Sequence, residues 1–257
     1  MLTEGYGRIG ARREIVGSLA DEQHSLARTV VLHLLPGALV TALYLVAAPV
    51  VRDFGFPSLM AFFLAASLVI IPYELGYLLY RARKDGTSFG GVVLYREPVP
   101  RTQFVALVLG LLAWSGIFFV LVYPPLDAFF IQNVFWWVPD SFFLVEDFAR
   151  YPTSALVVTW VFGLVVNGVT GPVVEEVYFR GYLLPRISRF GAWAPLINTV
   201  FFSIYHFFTP WQNVGRIVGL LPMVYAAWWK RSIYVSMGAH ALGNVSAMLL
   251  MLPVLFG

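Results

Sequence analysis

Two adjacent carboxylates and an arginine stand in the stretch EEVYFRG, Glu175 to Gly181, of a chain that is otherwise oily. Glu176 and Arg180 are four positions apart, which on a helix puts them on one face within ion-pair reach. Such a pair reads as a structural clip. Glu175 projects about 100° away around the same helix, so it lacks that counter-ion and can serve as a general base. Two of the four histidines lie further on, His206 in FFSIYHF and His240 in GAHALGN. His206 follows Phe202 by about one helical turn, and His240 precedes Asn244 by about one turn, so His240 and Asn244 share a face. An ionisable group in hydrocarbon is costly unless paired or hydrated, which makes Glu175, Glu176, Arg180, His206, His240 and Asn244 the candidates for function.

The elements that must carry these residues are membrane helices. Of 257 residues 59% are hydrophobic and 12% charged, about half the charge of a soluble domain. Apolar stretches near the ~20 residues that cross a bilayer run over 29–51, 57–80, 104–123, 154–174, 193–208, 214–229 and 233–256. The expected fold is all-α, a polytopic transmembrane bundle of seven or eight spans around an intramembrane polar cavity. A polar N-terminal tail over 1–28 precedes one transmembrane domain over 29–257, with the motif-bearing core at 153–250. An eighth span would arise if the chain turned fully around at Gly171-Pro172, which weakens the basic asymmetry, or if the aromatic loop FFIQNVFWWVPDSFFLV dipped into the membrane, whereas its Trp136 and Trp137 read as interface anchors.

Reading 151–189 as one crossing element bent at Gly171-Pro172 places thirteen of the seventeen Lys and Arg on the side of the N-terminal tail. Arg52, Arg150 and Arg216 fall opposite, and Arg180 stays inside. Basic flanks resist translocation, so the tail is expected to be cytoplasmic. With no cysteine, thiolate nucleophiles, disulfides and sulfur-bound zinc are excluded. The basic residues sit at membrane edges rather than on one soluble face, so no nucleic-acid partner is expected.

Depth follows from about 1.5 Å of rise per residue. Measured from the basic edges and turns, Glu175 lies ~20 Å in, His206 ~24 Å, His240 ~14 Å and Asn244 ~20 Å. Within a hydrocarbon core ~30 Å thick, these four meet at one level. His24 and His33 lack such company and read as ordinary core or interface residues. Glu74 reads as an interface-facing carboxylate rather than the lining of a substrate entrance. The RARKDG run after Tyr80 reads as a solvated, lipid-facing edge.

Three patterns in order, EEVYFR (EExxxR), Phe202 to His206 (FxxxH) and His240 to Asn244 (HxxxN), resemble those of the CAAX prenyl endopeptidase and bacteriocin-processing family. The resemblance covers about Val165 to Leu250. It implies a glutamate-type intramembrane protease in a prokaryotic cell membrane, without a required cofactor, acting on membrane-associated peptides or proteins that include lipidated, prenylated CAAX-type ones. It implies that Glu175 activates water with help from His206, while His240 and Asn244 stabilise the oxyanion. Glu176, Arg180 and Phe202 are carried over as supporting residues.

Rival readings remain open at this point. Glu175, His206 and His240 form an acceptable ligand set for zinc with an open position for water, although the H-E-x-x-H pattern is absent. A non-catalytic immunity or scaffold protein of the same fold is the second class, and an ion-relaying transporter the third. The G-x-S-x-G match at Gly86 to Gly90 lies in a polar loop, without the strand a nucleophile elbow needs. Gly215 and Gly219 form a GxxxG that eases helix packing rather than marking a dimer.

Overall fold

The computed structural model describes residues 22–257 except 140, 141, 143 and 145. Among the described residues there is no strand, and seven helical rods carry the chain. They are α1 (Leu26–Asp53), α2 (Ser58–Lys84), α3 (Arg101–Asn133), α4 (153–183), α5 (Ala194–Tyr205), α6 (Asn213–Lys230) and α7 (Ile233–Phe256). Five helical segments are long and apolar enough to cross a membrane: α1, α2, α3, the run Thr153–Tyr205 that holds α4 and α5, and α7. α3 is the most apolar, with a mean hydropathy of 2.6, yet only 6% of its apolar window is buried. So large an exposed apolar surface is a liability in water and ordinary against lipid. Trp136 and Trp137 stand exposed beyond the end of α3, where interface anchors belong.

One apolar run that reads as a span falls short of one in length. α5 has 12 residues, which extend only ~18 Å of a ~30 Å core. The chain leaves the helix at His206 (φ −80°, ψ 57°), turns through Thr209 to Gln212, and re-enters helix at Asn213. The runs 193–208 and 214–229 are therefore a broken pair whose irregular turn lies within the bundle. Non-helical backbone at that depth is tolerated where it is buried in protein or lines a cavity.

At Gly171-Pro172, where a bend is expected, the backbone stays helical throughout. Widened π-helical turns, Leu164–Thr170 and Glu176–Leu183, flank the short α-helical piece Gly171–Glu175. Pro172 supplies no N–H and would break a regular ladder, and the widened turn ahead of it absorbs the mismatch. Such turns concentrate at functional sites. A third one, Ile71–Leu75, interrupts α2.

Capping and close approach fix the remaining geometry. The Ser25 hydroxyl accepts from the Arg28 N–H and starts α1, as an N-cap should. A Cβ at Gly37 would stand 1.8 Å from the Tyr205 carbonyl oxygen, so only glycine lets α1 seat on the end of α5. Gly191, at φ 55°, turns the chain from the end of α4 into α5. The extended stretch after the short helix Phe89–Val92 then stitches α4 to the α6–α7 turn. The Leu94 N–H donates to Gly181 O (2.8 Å) and the Ile233 N–H to Tyr95 O (3.0 Å). Gly215 and Gly219 of α6 face the Tyr123 ring of α3, which agrees with a packing role for the GxxxG.

Three arginines gather where the first, second and fourth rods end. Glu22 accepts from Arg28 (2.8 Å) and Arg81 (2.7 Å), and Arg186 lies 3.6 Å away. Arg81 also pairs with Asp85 at 3.0 Å. The run after Tyr80 is thus only partly the solvated edge expected of it, because Arg81 is drawn inward by two carboxylates. His24, expected to be unremarkable, is fully buried with its ring against Tyr182. His33 is an ordinary core residue: Nδ1 faces Thr29 O at 2.7 Å and Nε2 faces Asn198 Nδ2 at 3.1 Å.

Candidate active site

Glu175 closes the short α-helical piece of α4, and Glu176 opens the widened turn after it. Glu176 is fully buried, 3.3 Å from Arg180 and 3.0 Å from Nδ1 of His240. The Arg180 guanidinium carbon stands over the Phe202 ring, 4.0 Å from its centre, a cation–π contact. Phe202 in turn meets His206 edge-on at 4.8 Å and His240 at 6.0 Å. One aromatic ring therefore separates the buried guanidinium from both histidines. The clip expected of Glu176 and Arg180 is present, and it also holds His240.

Glu175 turns the other way. Its Oε2 stands 3.9 Å from Nε2 of His240, and it lines a cavity of about 520 Å³ together with His206, His240 and Asn244. The four residues brought to one depth by counting turns are also brought to one cavity. Most of the remaining wall is apolar, including Phe62, Ile70, Phe119, Val166, Leu220 and Leu250.

Hydrogen bonds assign the working atoms. Nδ1 of His206 faces the Phe202 carbonyl at 2.7 Å; a carbonyl only accepts, so Nδ1 carries a proton, and in the neutral ring Nε2 keeps its lone pair. A ring in that state accepts a hydrogen bond from water. His240 has Nδ1 committed to Glu176, so Nε2 donates to an oxyanion only when the ring holds both protons. Asn244 donates from Nδ2 to the Asn167 carbonyl at 2.9 Å, which orients the amide and leaves one N–H free. Among the described residues no group of three or more His, Cys, Asp or Glu is placed to hold a metal ion.

Further residues enter the site without having been singled out for it. Arg216, expected at an outer edge, is buried at 8% exposure and lines the same cavity. It donates to Thr209 Oγ1 (2.7 Å), Gln212 Oε1 (2.9 Å), Ser203 O (3.3 Å) and Asn213 Oδ1 (3.3 Å), bracketing the turn that presents His206. Gln212 continues the chain to Asp127 at 3.0 Å. Counting from Lys230 at 1.5 Å per residue puts Arg216 ~21 Å deep, a signal that was available in the sequence. Asn167 lies in the widened turn of α4, and nothing in its spacing marks it. Tyr205 is buried with its hydroxyl beside Glu175. Glu74, expected to face the interface, is buried at 0% exposure because its widened turn packs against Gly171–Glu175.

With this geometry in place, comparison with known proteins is specific in one region. Residues 157–246 match the family model described as type II CAAX prenyl endopeptidase Rce1-like. The match encloses Glu175, Glu176, Arg180, Phe202, His206, His240 and Asn244, and leaves α1, α2 and α3 outside. No curated protein and no solved structure matches the chain.

Proposed function

We propose, proceeding from the Rce1-like character of residues 157–246, that the protein is an intramembrane endopeptidase that hydrolyses peptide bonds with a water activated by Glu175. The observation that carries this reading is the convergence of Glu175, His206, His240 and Asn244 on one largely apolar cavity. Water held between Glu175 and the lone pair of His206 Nε2 attacks the scissile carbonyl carbon, and Glu175 takes its proton. The oxyanion accepts from the free N–H of Asn244 and from His240 in its doubly protonated form. The C–N bond then breaks, and the proton passes to the leaving amine. No step needs a group beyond water and these side chains.

The substrate class is a membrane-associated peptide, and the apolar wall suits a lipidated one. The orientation proposed has the N-terminus and substrate entry on the cytoplasmic side, following the basic residues; with Arg216 now inside the bundle, only Arg52 and Arg150 oppose that assignment. The test is incubation of the purified protein with quenched peptides, prenylated and unmodified, with and without a strong chelator, beside Glu175→Gln. Cleavage that survives chelation and is absent from the variant supports the reading. Cleavage that chelation stops would move it to a metal hydrolase, and wild-type turnover by the variant would overturn it.

A further inference from the structure

Glu74 is a carboxyl group that this mechanism leaves without a task, and it comes from α2, outside the matched segment. Its side chain is fully buried, and neither oxygen has a hydrogen-bond partner among the described residues. The widened turn that carries it, Ile71–Leu75, packs against Gly171–Glu175. The titratable groups facing it are Glu175, Arg180 and Tyr178 from α4, Tyr205 from α5 and Tyr73 from its own turn. Tyr205 Oη and the Arg180 guanidinium nitrogens also lack hydrogen-bond partners among the described residues.

The charge inventory decides what Glu74 can be. Glu74, Glu175 and Glu176 share one guanidinium, that of Arg180. Carboxylates sharing a low-dielectric site do not all ionise, and one of them keeps a proton. Glu176 has contacts with both Arg180 and His240. Glu175 reaches the cavity and stands beside His240. Glu74 has no ion-pair contact among the described residues and no exposure.

We propose that Glu74 is a second carboxyl of the hydrolytic centre, a positioning residue that sits as a neutral acid behind Glu175 and leaves the negative charge on the base that faces the cavity. A neutral Glu74 leaves the Tyr205 hydroxyl and the Arg180 guanidinium to the ionised Glu175 on that buried side. The role rests on the hydrolase reading, whereas the location of the proton does not.

The experiment therefore has two arms on the full-length purified protein. Infrared spectra in H2O and D2O at neutral pH read the carbonyl stretch of protonated carboxylic acids. The expected result is a solvent-isotope-sensitive band in the wild type that Glu74→Gln removes; no such band, or one that survives in Glu74→Gln, overturns the proposal. In the kinetic arm Glu74→Leu should lower kcat about tenfold with KM within about twofold, while Glu74→Gln, a neutral hydrogen-bonding isostere, restores most of the loss. Glu74→Gln as slow as Glu74→Leu, or Glu74→Leu as fast as wild type, overturns it too. A wild type that cleaves none of the peptides would sink the hydrolase reading instead, and the infrared arm would still decide where the proton lies.

Discussion

Arg180 and Arg186 lie on one stretch of chain, and both are fully buried, yet their surroundings differ in kind. Arg186 donates to two backbone carbonyls, those of Tyr182 (2.9 Å) and Val92 (3.2 Å), and stacks on the Tyr182 ring at 3.8 Å. Its carboxylate neighbour, Glu22, is shared with Arg28 and Arg81. Arg180 makes its closest ion-pair contact with Glu176 and faces carboxyls that outnumber it, next to a cavity. The lesson is one of stoichiometry. Where cations match or exceed carboxylates, charge joins helix ends; where carboxylates exceed cations beside a cavity, charge is left over for chemistry.

The largest expected effect breaks that contrast at its centre. Glu175→Gln should lower turnover by about a thousandfold or more, the scale of a lost general base with its water, while Glu22→Gln at the other cluster leaves kcat unchanged in the same peptide assay. His240→Ala comes next, with kcat reduced on the order of a hundredfold and KM little changed, since donors to an oxyanion act on the transition state. Steady-state kinetics separate the two parameters. Arg180→Met should cost stability before activity, by about 3–5 kcal/mol, because it strands the buried Glu176 carboxylate. Its unfolding transition, compared with that of the wild type, checks the size.

The smallest effect sharpens the other side of the comparison. Burial, with the charges of Arg28 and Arg186, holds His24 down to about 3 from an ordinary value of 6.5. The unfolded chain binds that proton first, so stability falls as pH drops from 6.5 toward 3. Glu22 acts in the same sense at lower pH. Burial would raise its carboxyl, but the Arg28 hydrogen bond and the Arg81, Arg28 and Arg186 charges outweigh that and hold it below the ordinary 4.5. Its contribution is present above 4.5 and lost below. His24→Phe should flatten the acid slope of the melting temperature between pH 6.5 and 4, removing at most about 1.4 kcal/mol per pH unit. An unchanged slope would place the acid sensitivity elsewhere.

Glu175, His206, His240 and Asn244 were legible because hydrocarbon makes polar side chains conspicuous and helical rise converts position into depth. The same arithmetic applied to Arg216 would have found it as well. Glu74 was not legible, since its distance along α2 reports depth but not the face it presents. The break at His206 was hidden for a related reason: the apolar run 193–208 has the composition of a span, and only its packing partners reveal that the helix stops.

The sequence by itself determined a helical membrane bundle, the level at which its costly side chains meet, and the i, i+4 link between Glu176 and Arg180. These follow from burial cost and helical geometry, which are local properties. Only the tertiary structure decided that Glu176 holds His240, that Arg216 and Glu74 turn inward, and that α5 ends short so that His206 faces a cavity. Each depends on how one rod is rotated and seated against another, and many side chains share that choice.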